Sequence, residues 1–172
     1  MSADSDAALG FVSAPIQGGG TWTHTTRLGD FLAKAEARFG PRQMDWTILG
    51  IEFFGDIPHI WYLGGRKHVA IRLTQNARFN INEALFQLAH ETVHLLSPNN
   101  IGPALIIEEG IASLFADEMM AELNMASPLS GNYIEARALT KSLLDIQPDA
   151  SMLHGGGRWL CRAGRRRTFA PC

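Results

Sequence analysis

The stretch Leu88-Ala89-His90-Glu91-Thr92-Val93-His94-Leu95-Leu96 decides how the chain is read. It is an H-E-x-x-H motif set in an apolar frame. On a helix, positions i and i+4 lie one turn apart on the same face. His90 and His94 therefore offer two imidazoles to one metal ion, and Glu91 sits where its carboxylate reaches a metal-bound water. The surroundings predict a helix over 80–96. Asn80 suits its N-cap, with Glu83 three residues later as in a capping box. Glu83, Gln87, His90, Glu91 and His94 form a polar stripe on a helix otherwise built from Ile81, Leu85, Phe86, Leu88, Ala89, Val93, Leu95 and Leu96. Buried polar groups are costly unless satisfied, and a metal would satisfy this stripe. The plainer alternative is a helix with two part-exposed histidines and a surface glutamate.

A third ligand is sought downstream. After the Ser97-Pro98-Asn99-Asn100 turn, Pro103 suits the first turn of a helix running to about residue 123. It carries Ile106-Ile107-Glu108-Glu109-Gly110-Ile111-Ala112-Ser113. On its own, Glu108-Glu109 would be a solvated helix start favoured by the macrodipole. Next to His90-Glu91-x-x-His94, both are candidate ligands. Here the sequence resembles the gluzincin metallopeptidases, the zincin class that includes thermolysin and the zinc aminopeptidases. Their ligand glutamate lies on the helix after the H-E-x-x-H helix, often in a Glu-Gly-x-Ala context. Glu109-Gly110-Ile111-Ala112 matches that context, so the resemblance makes Glu109 the third ligand, with Glu108 as the alternative.

The resemblance implies a zincin-like fold, Zn²⁺ as cofactor, a peptide or protein substrate, and Glu91 as general base. It also implies that one edge strand of the sheet pairs with extended substrate. In the thermolysin-like pattern an aspartate stands four residues after the ligand glutamate; here that position is Ser113. Ser113 or Asp117 is the candidate acceptor for a histidine ring N–H, while the plain reading of Asp117-Glu118 is a solvated helix face. Zincins commonly supply a Tyr, His or Arg to hold the oxyanion, and Tyr133, Arg137 and His154 follow the ligands as candidates.

The rest of the chain supplies a scaffold. Leu28, Phe31, Leu32, Ala35 and Phe39 recur at helical spacing, which predicts a helix over 26–39 ended by Gly40-Pro41. Residues 46–54, 59–63 and 68–73 read as strands. The short turns Gly55-Asp56-Ile57-Pro58 and Gly64-Gly65-Arg66-Lys67 imply an antiparallel meander. His59 and His68 read as ordinary strand or turn histidines. A further helix is predicted over 133–144. The fold class is thus α+β: an N-terminal helix, a small, mainly antiparallel three-strand sheet, the H-E-x-x-H helix, a Glu-ligand helix and one more helix. Residues 1–24 read as an irregular lead-in, 25–150 as the zincin-like domain, and 151–172 as a basic tail.

Composition excludes some partners. A chain of 172 residues with a net charge of −2 offers no global attraction to nucleic acid or a membrane surface. No apolar run approaches a transmembrane length, and the N-terminus lacks the pattern of a secretory signal. Both cysteines, Cys161 and Cys172, lie in the tail, so the core uses no disulfide, which suits the cytoplasm. The tail from Gly155 holds five arginines and no acid; the remainder has ten basic residues against seventeen acidic, a net of −7. The tail reads either as a basic arm for an acidic partner or, preferred, as a frame-shifted or read-through, non-native end. The function expected is zinc-dependent peptide-bond hydrolysis. The alternatives are a zincin-like zinc-binding regulatory module without general proteolysis and a metal-free interaction domain.

Overall fold

The computed structural model describes residues 13–15, 21–99, 104–128, 131–146, 153–154 and 158–159. The first helix, α1 (His24–Phe39), starts two residues before the predicted boundary because Thr23 and Thr26 close a capping box. The Thr26 N–H donates to Thr23 Oγ1 (3.3 Å) and the Thr23 N–H donates to Thr26 Oγ1 (2.8 Å). Leu28, Phe31, Ala35 and Phe39 form its buried stripe.

Three strands follow: β3 (Thr47–Phe53), β4 (His59–Tyr62) and β5 (His68–Leu73). They do not form the expected antiparallel meander. The order is β3-β5-β4, with β5 central, parallel to β3 and antiparallel to β4, so the sheet is mixed. The five residues 54–58 are not a hairpin turn: they step across the end of β5, a span of about 10 Å that a short extended segment covers. Two backbone bonds tie this crossing down, Phe54 N–H to Leu73 O and Gln75 N–H to Gly55 O, both 2.8 Å. The crossing leaves β4 as an edge strand. Within β3, Leu49 bulges out between the Ile48–Val69 and Gly50–Ala70 pairs, and Gly50 takes φ 149°, a conformation that residues with a Cβ rarely adopt.

After a 3₁₀ turn (Asn76–Phe79), Asn80 accepts from the Glu83 N–H (3.3 Å) and opens α2 (Ile81–His94). The polar stripe finds its partners in two halves. At the N-terminal half, Gln87 accepts from the Thr74 N–H (2.9 Å) and donates to Thr74 Oγ1 (2.9 Å) and to Glu83 (3.0 Å). That network pins the rotation of α2 against the end of β5. The C-terminal half carries His90, Glu91 and His94.

The fourth wall is α3 (Ile106–Glu122), packed along α2 through Ile111, Ala112, Phe115 and Ala116. Ion pairs Lys34–Glu122 and Arg38–Glu118, with an edge-on contact of Phe39 and Phe115, join it to α1. α4 (Gly131–Ile146) packs on α3. The described residues therefore form an α+β fold with four helices and one small three-strand mixed sheet, its core made from α1, α2, α3 and one sheet face. No helix among them is long and apolar enough to cross a membrane.

The lead-in is more regular than expected: β1 (Ser13–Pro15) pairs antiparallel with β2 (Thr21–Thr23). A second small pair, β6 (Leu153–His154) with β7 (Arg158–Trp159), brackets Gly155, Gly156 and Gly157. The arginine-rich remainder of the tail, and Pro103 with its expected place in a helix turn, lie outside the described residues.

Candidate metal centre

His90 and His94 project from the same face of α2 with ring centroids 5.1 Å apart and their Nε2 atoms 3.3 Å apart. Glu109, in the first turn of α3, brings one carboxylate oxygen to 3.1 Å from His90 Nε2 and the other to 3.6 Å from His94 Nε2. One ligand atom from each of the three residues lies within 4.8 Å of the other two, so this group can hold a metal ion. The Glu109 backbone N–H bonds Leu105 O (3.0 Å), which sets the phase of α3 and hence the aim of this side chain.

Glu108 and Glu109 have separate tasks. Adjacent helix residues point about 100° apart, so they cannot approach one point in the same way. Glu108 Oε1 lies 2.9 Å from His94 Nδ1, on the side of the ring away from the cluster. On His90 the corresponding partner is Ser113, whose Oγ is 3.4 Å from Nδ1 and donates to the Glu109 carbonyl (2.8 Å). With its proton committed to that carbonyl, Ser113 accepts from His90. Both imidazoles thus carry a proton on Nδ1 and turn Nε2 inward, as metal-bound histidines do. Asp117 pairs instead with Arg137 of α4. Two Nε2 atoms and a carboxylate meeting at one point repel one another unless a proton or a cation lies among them, which is the chemical sense in which this donor set fits a metal.

The electrostatics agree. Burial pushes His94 down, but its hydrogen bond to Glu108 and the charges of Glu91, Glu108 and Glu109 outweigh that and hold it up to about 9. Burial opposes the charge on Glu109, yet the His90 hydrogen bond and the two histidines keep its carboxyl below the usual range. Burial pushes Glu91 up, opposed by His94 and His90. Glu91 is 4% exposed, and its carboxylate makes no hydrogen bond to any described residue. What remains exposed of it opens on a cleft of about 330 Å³ shared with His90, His94, Glu108 and Glu109.

The opposite wall of that cleft is β4 and the crossing before it. Ile57, Pro58, His59, Ile60 and Tyr62 line it, so His59, taken from sequence as an ordinary strand histidine, stands in the cleft. Its Nδ1 is 2.9 Å from the Ile57 carbonyl. Tyr62 accepts from the Asn99 N–H (2.7 Å) and stacks edge-on with Trp46, which fixes its hydroxyl oxygen in the same cleft. Neither residue carries a motif; only the edge position of β4 marks them. His68 and Arg137 are not among the cleft residues, and the side chains of Tyr133 and His154 lie outside the described residues. Comparison of the chain with protein-family models, with curated proteins and with solved structures found no match.

Proposed function

We propose that the chain is a zinc-dependent peptide-bond hydrolase of the gluzincin type. The observation that carries this reading is the convergence of His90, His94 and Glu109 beside a buried carboxylate, Glu91, that has no hydrogen-bond partner among the described residues and opens on the cleft. Two imidazoles and one carboxylate are the donor set of catalytic zinc sites that keep a fourth position open. A zinc ion held there would acidify water and polarise a carbonyl. The order of helix, small sheet, H-E-x-x-H helix and glutamate helix is that of a zincin-like domain.

The protein's own groups have distinct tasks in this scheme. Glu108 and Ser113 orient the two imidazoles. Glu91, raised by burial, takes a proton from the attacking water and returns it to the leaving amine; a base of raised pKa is matched to that transfer near neutral pH. Tyr62, its oxygen held by Asn99, has its O–H to donate to the substrate carbonyl oxygen. Among the described residues β4 has one unpaired edge, toward the cleft, where an extended peptide can add as a strand.

The test joins metal content to turnover. Purified protein should hold about one zinc per chain and cleave members of a quenched peptide library, and Glu91→Gln should retain the zinc and lose about 10²–10⁴-fold in rate. Zinc without cleavage in the wild type would leave a zinc-binding module. No zinc after reconstitution would end the reading.

A further inference from the structure

The sheet has a second face, turned away from the core. Side chains alternate along a strand. On β5, Val69, Ile71 and Leu73 enter the core, so Ala70 and Arg72 point the other way. Glu52 of β3 and His59 of β4 stand opposite Arg72 in register. Trp61, from the strand on one side, lies against the Arg72 guanidinium, with Cζ 3.5 Å from the ring centroid. Phe54, just past the strand on the other side, holds it at 4.5 Å.

A guanidinium over one ring is a common surface contact. Two features set this one apart. The side chain is only 16% exposed, and two rings fix the plane of its fork before any ligand arrives. Its donors are also only partly used. Nε–H donates to Glu52 Oε1 (2.6 Å), and no described residue accepts from either terminal nitrogen. Neither of those nitrogens is shut from solvent. What is left is a flat pair of N–H donors, held by two aromatic rings and open along its own plane.

A carboxylate matches such a fork, coplanar and with two parallel hydrogen bonds. A phosphate places oxygens out of that plane, toward the electron-rich ring faces. Arg72 lies on the central strand, with sheet on both sides, so a chain crossing it continues past. That selects an acidic side chain over a chain terminus. Phe54, 56% exposed, offers apolar surface to the residue beside the acid. We infer that this face docks a protein segment carrying an aspartate or glutamate next to an apolar residue, the acid seated in the Arg72 fork. The inference stands apart from the zinc hydrolase reading.

The experiment follows the Arg72 Nε–H and Trp61 indole N–H by NMR in the isotope-labelled full chain, with zinc and after chelation. Acetyl-Leu-Asp-Leu-amide should shift both signals in both states. The Asn analogue should bind at least about tenfold more weakly. Acetyl-Leu-Ala-Leu with a free carboxylate and inorganic phosphate are the competing anions, and neither should displace the Asp peptide at equal concentration. Arg72→Lys, which keeps the charge but loses the fork, should cost at least about tenfold. Glu52→Gln leaves the stack and removes a competing carboxylate, so it should tighten binding about two- to fivefold. Equal binding of the Asp and Asn peptides, displacement by either anion, binding only with zinc, or wild-type affinity in Arg72→Lys would overturn the assignment. Should Arg72→Lys fail to fold, unchanged or weaker binding in Glu52→Gln overturns it alone. Loss of the metal reading would leave each of these outcomes as it stands.

Discussion

If His90, His94 and Glu109 bind zinc, that binding must displace a proton, and the structure says how strongly. His94 is held up to about 9 by Glu108 and its acidic neighbours, so in the metal-free protein it is an imidazolium at pH 7. Zinc takes only the neutral imidazole. Two pKa units separate pH 7 from that value, at about 1.36 kcal/mol each. Apparent zinc affinity should therefore rise about tenfold per pH unit above pH 7, by about fiftyfold at pH 9, and level off about a hundredfold higher beyond it. Competition against a chelator of known pH dependence measures the affinity. Calorimetry in buffers of different ionisation enthalpy counts the proton, which should be about one per zinc at pH 7.5. The stability of the metal-free protein should follow the same group with the opposite trend. A folded pKa above the unfolded 6.5 gives stability that is complete below pH 6.5 and lost as pH rises through about 9. Flat affinity over this range with no proton released would show that Glu108 does not hold His94 charged, and would refute the role given to that pair.

Three further perturbations separate the parts. Glu108→Gln should weaken zinc by about 10–100-fold while keeping one zinc per chain, whereas Glu109→Ala should abolish stoichiometric binding; equal losses would erase the distinction between orienting partner and ligand. Gln87→Leu leaves the buried Thr74 N–H without its acceptor and should cost about 1–3 kcal/mol, seen as a lower melting temperature with or without zinc; an unchanged melt would mean the network does not fix α2. His24, 6% exposed and edge-on to Phe53, is lowered by burial to about 4, so the folded state resists a proton that the unfolded chain binds at 6.5. Stability should be complete above pH 6.5 and fall toward pH 4, by up to about 3 kcal/mol, and His24→Leu should flatten that limb in urea titrations.

The H-E-x-x-H helix was legible because everything that defines it is local. The i, i+4 spacing of His90 and His94, the Asn80 cap and the apolar frame all act within a few turns, and the structure keeps each of them. Glu109 was reachable for the same reason, through its Glu-Gly-x-Ala context. Assigning Glu108 was not, since two adjacent acids at a helix start are equivalent until the rotation of α3 against α2 is known. Ser113, in place of the aspartate expected from the resemblance, takes the outer bond to His90 from the same turn of α3.

The sheet failed for the opposite reason, and that failure hid half of the cleft. A short Gly-Asp-Ile-Pro segment reads as a hairpin turn when only its own residues are weighed. Whether it closes a hairpin or steps over a neighbouring strand depends on where β5 goes, and β5 begins ten residues after that segment ends. Because the chain steps over, β4 becomes an edge rather than the middle of a meander. Being an edge, it faces the metal group and gives His59, Tyr62 and Ile57 their place. A histidine in a strand carries no mark of this; the same residue in a central β4 would have faced a neighbour. The donors of the site are therefore written in one helix and the first turn of the next, while the cleft wall that faces them is written in strand order.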